Sequence, residues 1–231
     1  DEAGVILRDA LVSARVKTNL LQTHPAGTGL AMDFIDQAGR YQAVVTPRAN
    51  LRIDPTQLPT ASNFWEHIGL VLLQLELEPR VNATVGELAR QHNVPVWLNA
   101  APPQMISDAW WSWMELLVVN EVEATALAGQ PVRTIADAEA AAVQLAQRVP
   151  HVLITLGAGG FLLHSAGTGH YLAGHTVEVA STLGGGDALV GVLAAEWLRH
   201  PDLLPAAKIA NAAAAVSVQR TGAQTSYIRK H

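Results

Sequence analysis

The chain has 231 residues, of which 49% are hydrophobic and 15% charged, and this composition excludes a disordered protein. It has no cysteine, which excludes disulfides, thiolate metal sites and cysteine nucleophiles and fits a cytoplasmic protein. The net charge of −5 argues against a nucleic-acid-binding protein. The sequence contains no run of about 18 uncharged apolar residues, so it predicts no membrane-spanning helix.

The first part of the chain predicts a helix followed by a β-hairpin. Apolar residues recur at helical spacing between Ala3 and Val16. Two β-rich runs then flank a turn that contains Gly39, which is typical of a hairpin. We interpret residues 28–46 as a small appendage within one domain that spans residues 1–231.

From residue 65 onward, short apolar runs alternate with helical segments. This alternation is typical of an α/β fold whose parallel sheet is covered by helices on both faces. We expect buried strands at 68–75, 94–98, 115–119 and 151–156, short hairpin strands at 161–164, 170–173 and 175–179, and helices at 81–92, 121–128, 136–148, 187–199 and 204–220.

The most informative segment is Gly184-Gly185-Gly186-Asp187, between a predicted strand and a predicted helix. Glycine allows the backbone to approach a ligand closely, and a helix start offers unpaired N–H groups and the positive end of the helix dipole. These features favour a site for a phosphate or another developing anion, with Asp187 beside it. On spacing alone, a loop with an N-capping aspartate explains the segment equally well.

The same segment resembles the Gly-Ala-Gly-Asp signature of the ribokinase-like (PfkB) carbohydrate kinases, and other motifs of that family follow in the same order. Several motifs in one order are more specific than any single motif. The resemblance is closest to ribokinase, and it implies a three-layer α/β sandwich with a mostly parallel central sheet and a β-hairpin lid remnant at 28–46. The matching motifs are Leu73-Gln-Leu-Glu76, Leu98-Asn99-Ala-Ala-Pro102, Asn120-Glu121-Val122-Glu123, Ile154-Thr155-Leu156-Gly157-Ala158-Gly159-Gly160, Ala210–Ala215 and Gly222–Ser226.

The resemblance implies ATP-dependent phosphorylation of a sugar hydroxyl, with ribose or a related pentose as the first guess. Asp187 would be the general base on that hydroxyl, and the loop of Gly184, Gly185 and Gly186 would hold the transferring phosphoryl group. Glu76 would contact a sugar hydroxyl. As an alternative, Glu76 is a carboxylate that emerges into solvent at the end of a strand.

The resemblance also implies a nucleotide site. It places ATP against Thr155, Gly157, Gly160 and Asn211. Asn211 is alternatively explained as a solvated polar residue on an alanine-rich helix.

Two kinds of cation follow from the resemblance. Asn120 and Glu123 are three residues apart and would organise Mg²⁺ through its waters, although a capped surface helix explains the pair as well. Many ribokinases also bind a monovalent cation, for which Ser226 is a weak candidate ligand here. Ser181 replaces the aspartate of that family site, so K⁺ binding is doubtful.

A further departure concerns the start of the chain. The family's N-terminal sugar-binding aspartate and its Gly-Gly-Lys-Gly-Ala-Asn-like motif have no counterpart, and Asp1-Glu2-Ala3-Gly4 resembles the region that follows them. The chain therefore resembles a ribokinase that lacks its first part. Because a half-built lid exposes sheet edges and apolar surface, we expect a homodimer formed through the hairpin or the sheet edge.

Two other functions stay open. A catalytically impaired chain would keep nucleotide affinity for a binding or regulatory role. A hydrolase would reuse the anion site of the glycine loop, and Leu163-His-Ser165-Ala-Gly167 resembles a Gly-x-Ser-x-Gly nucleophile elbow without its first glycine. The nine histidines contain no His-x-x-x-His pair, which argues against a zinc site.

Overall fold

A computed structural model describes residues 1–35 and 41–227 of the chain. Short 3-10 helices lie at Arg48–Arg52, Pro55–Gln57, Asp108–Ser112 and Gly157–Gly159. The strands are β1 (Leu30–Ile35), β2 (Tyr41–Thr46), β3 (Val71–Gln74), β4 (Val96–Asn99), β5 (Met114–Asn120), β6 (His151–Thr155), β7 (Gly160–Ser165) and β8 (Thr168–Ala173). The α-helices are α1 (Glu2–Ser13), α2 (Ser62–Trp65), α3 (Pro79–Gln91), α4 (Glu121–Ala128), α5 (Ile135–Leu145), α6 (Gly185–Arg199) and α7 (Leu203–Ser217).

A six-stranded sheet in the order β3-β4-β5-β6-β7-β8 forms the centre of the molecule. The strands from β3 to β6 pair in parallel, and β7 and β8 continue the sheet in antiparallel pairing. The apolar runs of β4, β5 and β6 are buried on both faces of the sheet, whereas the side chains of the edge strand β3 alternate between partly buried and exposed. The predicted mostly parallel α/β sheet is confirmed.

Helices cover both faces of this sheet, and the side chains of β5 show how the two faces alternate. Leu117 and Val119 pack among core residues from α3, α4 and α5. Leu116 and Val118 point to the other face and pack with residues of α6 and α7, such as Leu193. Because successive side chains of a strand alternate between faces, one apolar run supplies two cores. The result is the expected three-layer sandwich.

Parallel pairing brings the carboxyl ends of the strands to one edge of the sheet. Asn120, the last residue of β5, pairs with Thr155, the last residue of β6. Asn99 ends β4 and pairs with Val118 of β5. In open parallel sheets this edge is the usual place for a ligand.

The hairpin predicted within residues 28–46 is confirmed. β1 and β2 form a separate antiparallel sheet, in which Leu30 pairs with Thr46 and Met32 with Val44. The predicted turn around Gly39 lies outside the described residues.

The predicted strand at 175–179 is wrong, because residues 174–180 form no strand. The backbone N–H groups of Ala180 and Ser181 both donate to the carbonyl of Val218, just after α7. The chain therefore leaves the sheet after β8 and reaches α6 along the end of α7. Within the described ranges, no α-helix has the length and apolar character that crossing a bilayer requires.

Gly86 allows α3 to lie against a buried tryptophan. A Cβ added to Gly86 would lie 2.3 Å from Cε2 of Trp113, which belongs to the core. Because a buried indole has little room to move, we expect Gly86→Ala to lower the free energy of unfolding by about 1–3 kcal/mol. Urea denaturation followed by circular dichroism measures this loss.

Gly191→Ala is the matched control for this substitution. Gly191 lies inside α6, and a Cβ there would meet no atom within 4 Å. Alanine favours a helix more than glycine does, so we expect the free energy of unfolding to rise by about 0.5–1 kcal/mol. Equal unfolding midpoints for the two variants would contradict the packing argument.

Candidate active site

A cleft of about 680 Å³ opens at the carboxyl ends of the parallel strands. Its walls come from the ends of β4, β5 and β6, from the segment 179–184 and from the first turn of α6. The predicted site residues that line it are Asn120, Glu123, Thr155, Gly184, Gly186 and Asp187.

The start of α6 presents two unpaired backbone N–H groups at this cleft. Gly184 precedes the helix in the left-handed conformation, with φ 76°. The N–H of Gly185 donates to the carbonyl of Thr182, whereas those of Gly186 and Asp187 have no hydrogen-bond partner among the described residues. Unpaired N–H groups and the positive end of the helix dipole favour an anion at this point.

Gly185 differs from the other two glycines of the predicted loop. It is buried, and a Cβ added there would lie 2.9 Å from Cγ1 of Val218. It is also absent from the cleft lining. Gly185 therefore allows close packing of α6 against the end of α7, while Gly184 and Gly186 face the cleft.

Asp187 lines the cleft and is exposed, and its side chain accepts a hydrogen bond from Tyr227. The hydroxyl of Tyr227 donates to Oδ2 of Asp187 over 3.3 Å. Burial, together with the charge of Asp187, raises the pKa of Tyr227 to about 12. The phenol is therefore neutral at physiological pH and acts as the donor in this pair.

Asn120 and Glu123 form a capping box at the start of α4. Oδ1 of Asn120 accepts from the N–H groups of Val122 and Glu123, each at 2.9 Å. In return, the Glu123 carboxylate accepts from the backbone N–H of Asn120 at 2.8 Å and from its Nδ2 at 3.0 Å. The helix-cap explanation is confirmed, and the pair also lines the cleft, while its role towards Mg²⁺ stays a prediction.

The charge of Glu123 is set by two opposing effects. Glu123 is 4% exposed, and burial raises the pKa of its carboxyl, while the hydrogen bonds from Asn120 lower it. A carboxylate has about four acceptor positions, so two remain for other donors. Within residues 1–35 and 41–227, no three His, Asp or Glu side chains cluster closely enough to hold a metal ion. The donor set fits a hydrated Mg²⁺, which keeps several of its waters.

Only one of the predicted nucleotide residues lines the cleft. Thr155 does so at the end of β6. Gly157 begins a short 3-10 helix beyond it, with φ 52°. Gly160 is required by the sheet, since a Cβ there would lie 2.1 Å from the carbonyl oxygen of Leu172.

Three other predicted residues lie outside the cleft lining. Glu76 is exposed beyond the end of β3. Asn211 is buried, and its Nδ2 donates to the carbonyl of Ala173 at 2.8 Å, which ties α7 to the end of β8. Ser226 is fully buried, and its hydroxyl donates to the Ala223 carbonyl at 2.7 Å.

Ser165, the nucleophile of the hydrolase alternative, lies far from the glycine loop. It pairs with His151 at the first residue of β6, whereas Thr155 ends that strand at the cleft. Four residues of strand span about 13 Å. The Ser165 hydroxyl lies 2.9 Å from Nδ1 of His151, whose Nε2 lies 3.4 Å from Glu115. This arrangement gives no support to a hydrolase that uses the anion site at α6.

The chain matches the model of the pfkB family of carbohydrate kinases over residues 1–230. The chain belongs to this family. It is 32% identical to the ribokinase of Mus musculus over 212 residues, which cover 89% of this chain and 66% of that protein. It is 28% identical to the ribokinase of Haemophilus influenzae, over 98% of this chain and 74% of that protein.

Solved structures support the same fold. The ribokinase of Thermotoga maritima has a TM-score of 0.83 and 26% identity, over 99% of this chain and 75% of that one. An Arabidopsis thaliana ribokinase complexed with ribose and ATP has a TM-score of 0.76 and 25% identity, over 87% of this chain and 66% of that one. The chain thus spans 66 to 75% of the length of these relatives.

Sequence reasoning did not identify two polar residues of this region as site residues. Asn99 lines the cleft at the end of β4, and its position after an apolar run was a usable signal. Tyr227 contacts Asp187 from 40 residues away in the chain. No local sequence pattern predicts a contact between residues that far apart in the chain.

Two capping boxes among residues 41–227 allow a matched test of Asn120. Thr134 and Asp137 form the second box, at the start of α5. We expect Thr134→Ala to lower the free energy of unfolding by about 1 kcal/mol, the usual cost of losing an N-cap. Asn120→Ala should cost about 2–3 kcal/mol, because it also removes a donor from the buried carboxylate of Glu123.

Urea denaturation of both variants at neutral pH measures this difference. If the two variants lose equal stability, the Glu123 carboxylate does not depend on the Asn120 amide.

Proposed function

We propose that this protein transfers the γ-phosphoryl group of ATP to a sugar hydroxyl, with ribose or a related pentose as the first substrate class. One observation carries the proposal. In a member of the pfkB family, a carboxylate and two unpaired N–H groups share the start of one helix at the edge of a cleft. The relative complexed with ribose and ATP supports this choice of sugar and of phosphoryl donor.

In the proposed reaction, Asp187 accepts the proton of the sugar hydroxyl as that oxygen attacks the γ-phosphorus. The new O–P bond forms while the bond to the β,γ-bridging oxygen breaks, and ADP leaves. The N–H groups of Gly186 and Asp187 donate to the phosphoryl oxygens, beside the Gly184 turn. Phosphoryl transfer depends mainly on such positioning and charge stabilisation.

Asn120 and Glu123 would hold Mg²⁺ through its waters at the wall of the cleft. When bound, Mg²⁺ neutralises charge on the ATP phosphates. Two acceptor positions of the Glu123 carboxylate can receive hydrogen bonds from those waters. A nearby cation would also offset the cost of burying this charge.

We keep the remaining predicted contacts as part of the proposal. ATP contacts Thr155, Gly157, Gly160 and Asn211, and the sugar contacts Glu76. Two of these predictions carry a structural cost. Asn211 already uses its amide on Ala173, and Glu76 must turn inward from the solvent.

K⁺ has no part in the proposed mechanism. Ser181 brings no charge to the place where the family has an aspartate, and its hydroxyl accepts from the N–H of Leu183 at 3.2 Å. The Ser226 hydroxyl already bonds Ala223 and Ser217. Both hydroxyls therefore have protein partners.

A second candidate function is nucleotide binding without transfer. Three polar residues of the cleft lining, Asn120, Glu123 and Thr155, belong to the proposed ATP side. Glu76, the proposed sugar contact, lies outside that lining. This asymmetry favours a binding or regulatory role if the sugar site does not form.

ADP release from Mg²⁺-ATP across a panel of pentoses and hexoses tests the proposal. We expect Asp187→Asn to lower sugar-dependent turnover by about 10²–10⁴-fold, because the base is lost. ATP affinity, measured by calorimetry, should change little, since an amide keeps the shape of the side chain.

Asp202→Asn is the control for this substitution. Asp202 also lies at a helix start, where it caps α7 and accepts from the N–H of Leu204 at 3.2 Å. Asparagine caps as well as aspartate, so we expect unchanged turnover. ATP binding with no sugar-dependent ADP release in any form would contradict the kinase and favour the second candidate.

We also propose that two copies of the chain associate through the β1–β2 hairpin. Met32 and Val44, a cross-strand pair, are 62% and 60% exposed, and Val45 on the other face is 61% exposed. Exposed apolar side chains on a two-stranded sheet favour pairing with a second copy.

Light scattering after size exclusion at micromolar concentration should therefore give a dimer. Val44→Glu should give a monomer, because it places a charge in the interface. Val143→Glu is the control, since Val143 is 51% exposed on α5. A monomeric parent chain would contradict the proposed dimer. If the Val44→Glu variant is still a dimer, the interface lies at the outer edge of β3 instead.

A further inference from the structure

Tyr227 reaches Asp187 from outside the cleft. The Tyr227 hydroxyl lies 3.3 Å from Oδ2 of Asp187, yet Asp187 lines the cleft and Tyr227 does not. A neutral phenol can donate, whereas an ionised carboxylate can only accept. In the described part of the chain, the Asp187 side chain has no other hydrogen bond. Among the residues that the structure describes, its Oδ1 therefore has no donor.

The ring of Tyr227 is held by the glycine turn that precedes α6. A Cβ added to Gly184 would lie 3.0 Å from both Cε1 and the hydroxyl oxygen of Tyr227. Because Gly184 has no side chain, the ring can pack directly on this turn. The same packing directs the phenol to the first turn of α6, where Asp187 lies.

The residue before Tyr227 fixes the backbone from which the ring projects. Ser226 is fully buried, and its backbone N–H donates to the carbonyl of Ala223 at 3.0 Å. Its hydroxyl also donates to Ala223 and lies 2.8 Å from the hydroxyl of Ser217 in the last turn of α7. These bonds tie the turn 223–226 to α7 and explain Ser226 as an anchor of that turn.

We propose that Tyr227 is a positioning residue for Asp187: its phenol holds one carboxylate oxygen so that the other faces the sugar hydroxyl. This inference rests on the proposed function, in which Asp187 is the general base. An exposed carboxylate in a first helical turn otherwise samples several rotamers. Holding it in one orientation keeps the base aligned with the proton that it removes.

Steady-state kinetics of Tyr227→Phe test the consequence of the contact. The substitution removes only the hydroxyl and keeps the ring against Gly184. We expect kcat to fall about 10-fold, while KM for ATP and for the sugar stays within about twofold, because alignment matters mainly in the transition state. Thr225→Ala is the matched control. Thr225 lies in the same turn, but its hydroxyl donates to the carbonyl of Thr221 and not to Asp187. Removing this hydroxyl should therefore leave kcat unchanged.

A thermal-unfolding cycle tests the contact without any need for activity. It compares the parent chain with Tyr227→Phe, Asp187→Ala and the double variant. We expect Tyr227→Phe to lower Tm by about 1–2 °C in the parent chain and to have no effect once Asp187 is alanine, because the two side chains share one bond.

The outcomes separate this inference from the proposed function. Equal Tm changes in both backgrounds overturn the inference, whether or not the protein is a kinase. A coupled cycle with an unchanged kcat in an active enzyme also overturns it. A coupled cycle with the selective loss of kcat supports it. A parent chain that lacks turnover refutes the proposed function, and the cycle alone then decides whether Tyr227 holds Asp187.

Discussion

Parallel pairing of β4, β5 and β6 is the constraint on which the whole site depends. Burying a polar side chain inside a sheet that is covered on both faces is costly, so polar residues are favoured at the ends of its strands. Parallel strands place those ends on one edge. Asn99, Asn120 and Thr155 therefore lie around one cleft, although a short 3-10 helix separates the first two in the sequence and α4 and α5 separate the last two. Helix α6, which packs with α7 on one face of the sheet, places the carboxylate of Asp187 at the same edge.

Helix termini provide most of the polar chemistry at this edge. At α4, Asn120 pairs with the N–H groups of Val122 and Glu123, and the buried Glu123 carboxylate accepts two hydrogen bonds from Asn120 in return. At α6, Gly184 brings no capping side chain, and two N–H groups are left for a ligand. The two helix starts therefore differ in how their N–H groups are paired. At α4 the protein's own side chains accept from them, whereas at α6 two N–H groups stay available to a ligand beside the candidate base.

The sequence allowed most of the fold to be predicted, because buried strands and amphipathic helices have different periods. The segment 175–179 was predicted wrongly. It forms no strand, and the next residues, Ala180 and Ser181, donate to the carbonyl of Val218, a contact that only the tertiary structure supplies. The glycine loop and the Asn120–Glu123 pair were also predictable, since short spacings define them. The roles of Glu76, Asn211 and Gly157 rest on the family resemblance, and Tyr227 has no local signal at all.

The turn after α7 lies against the start of α6, so the two ends of the segment 184–227 meet beside the candidate base. This segment begins at Gly184 and ends at Tyr227, whose ring packs on Gly184. One extra residue in α7 would rotate everything beyond it by about 100° around the helix axis. Helical phase therefore links the length of α7 to the orientation of Asp187. A change in the length of this helix pair would therefore alter the geometry of the base.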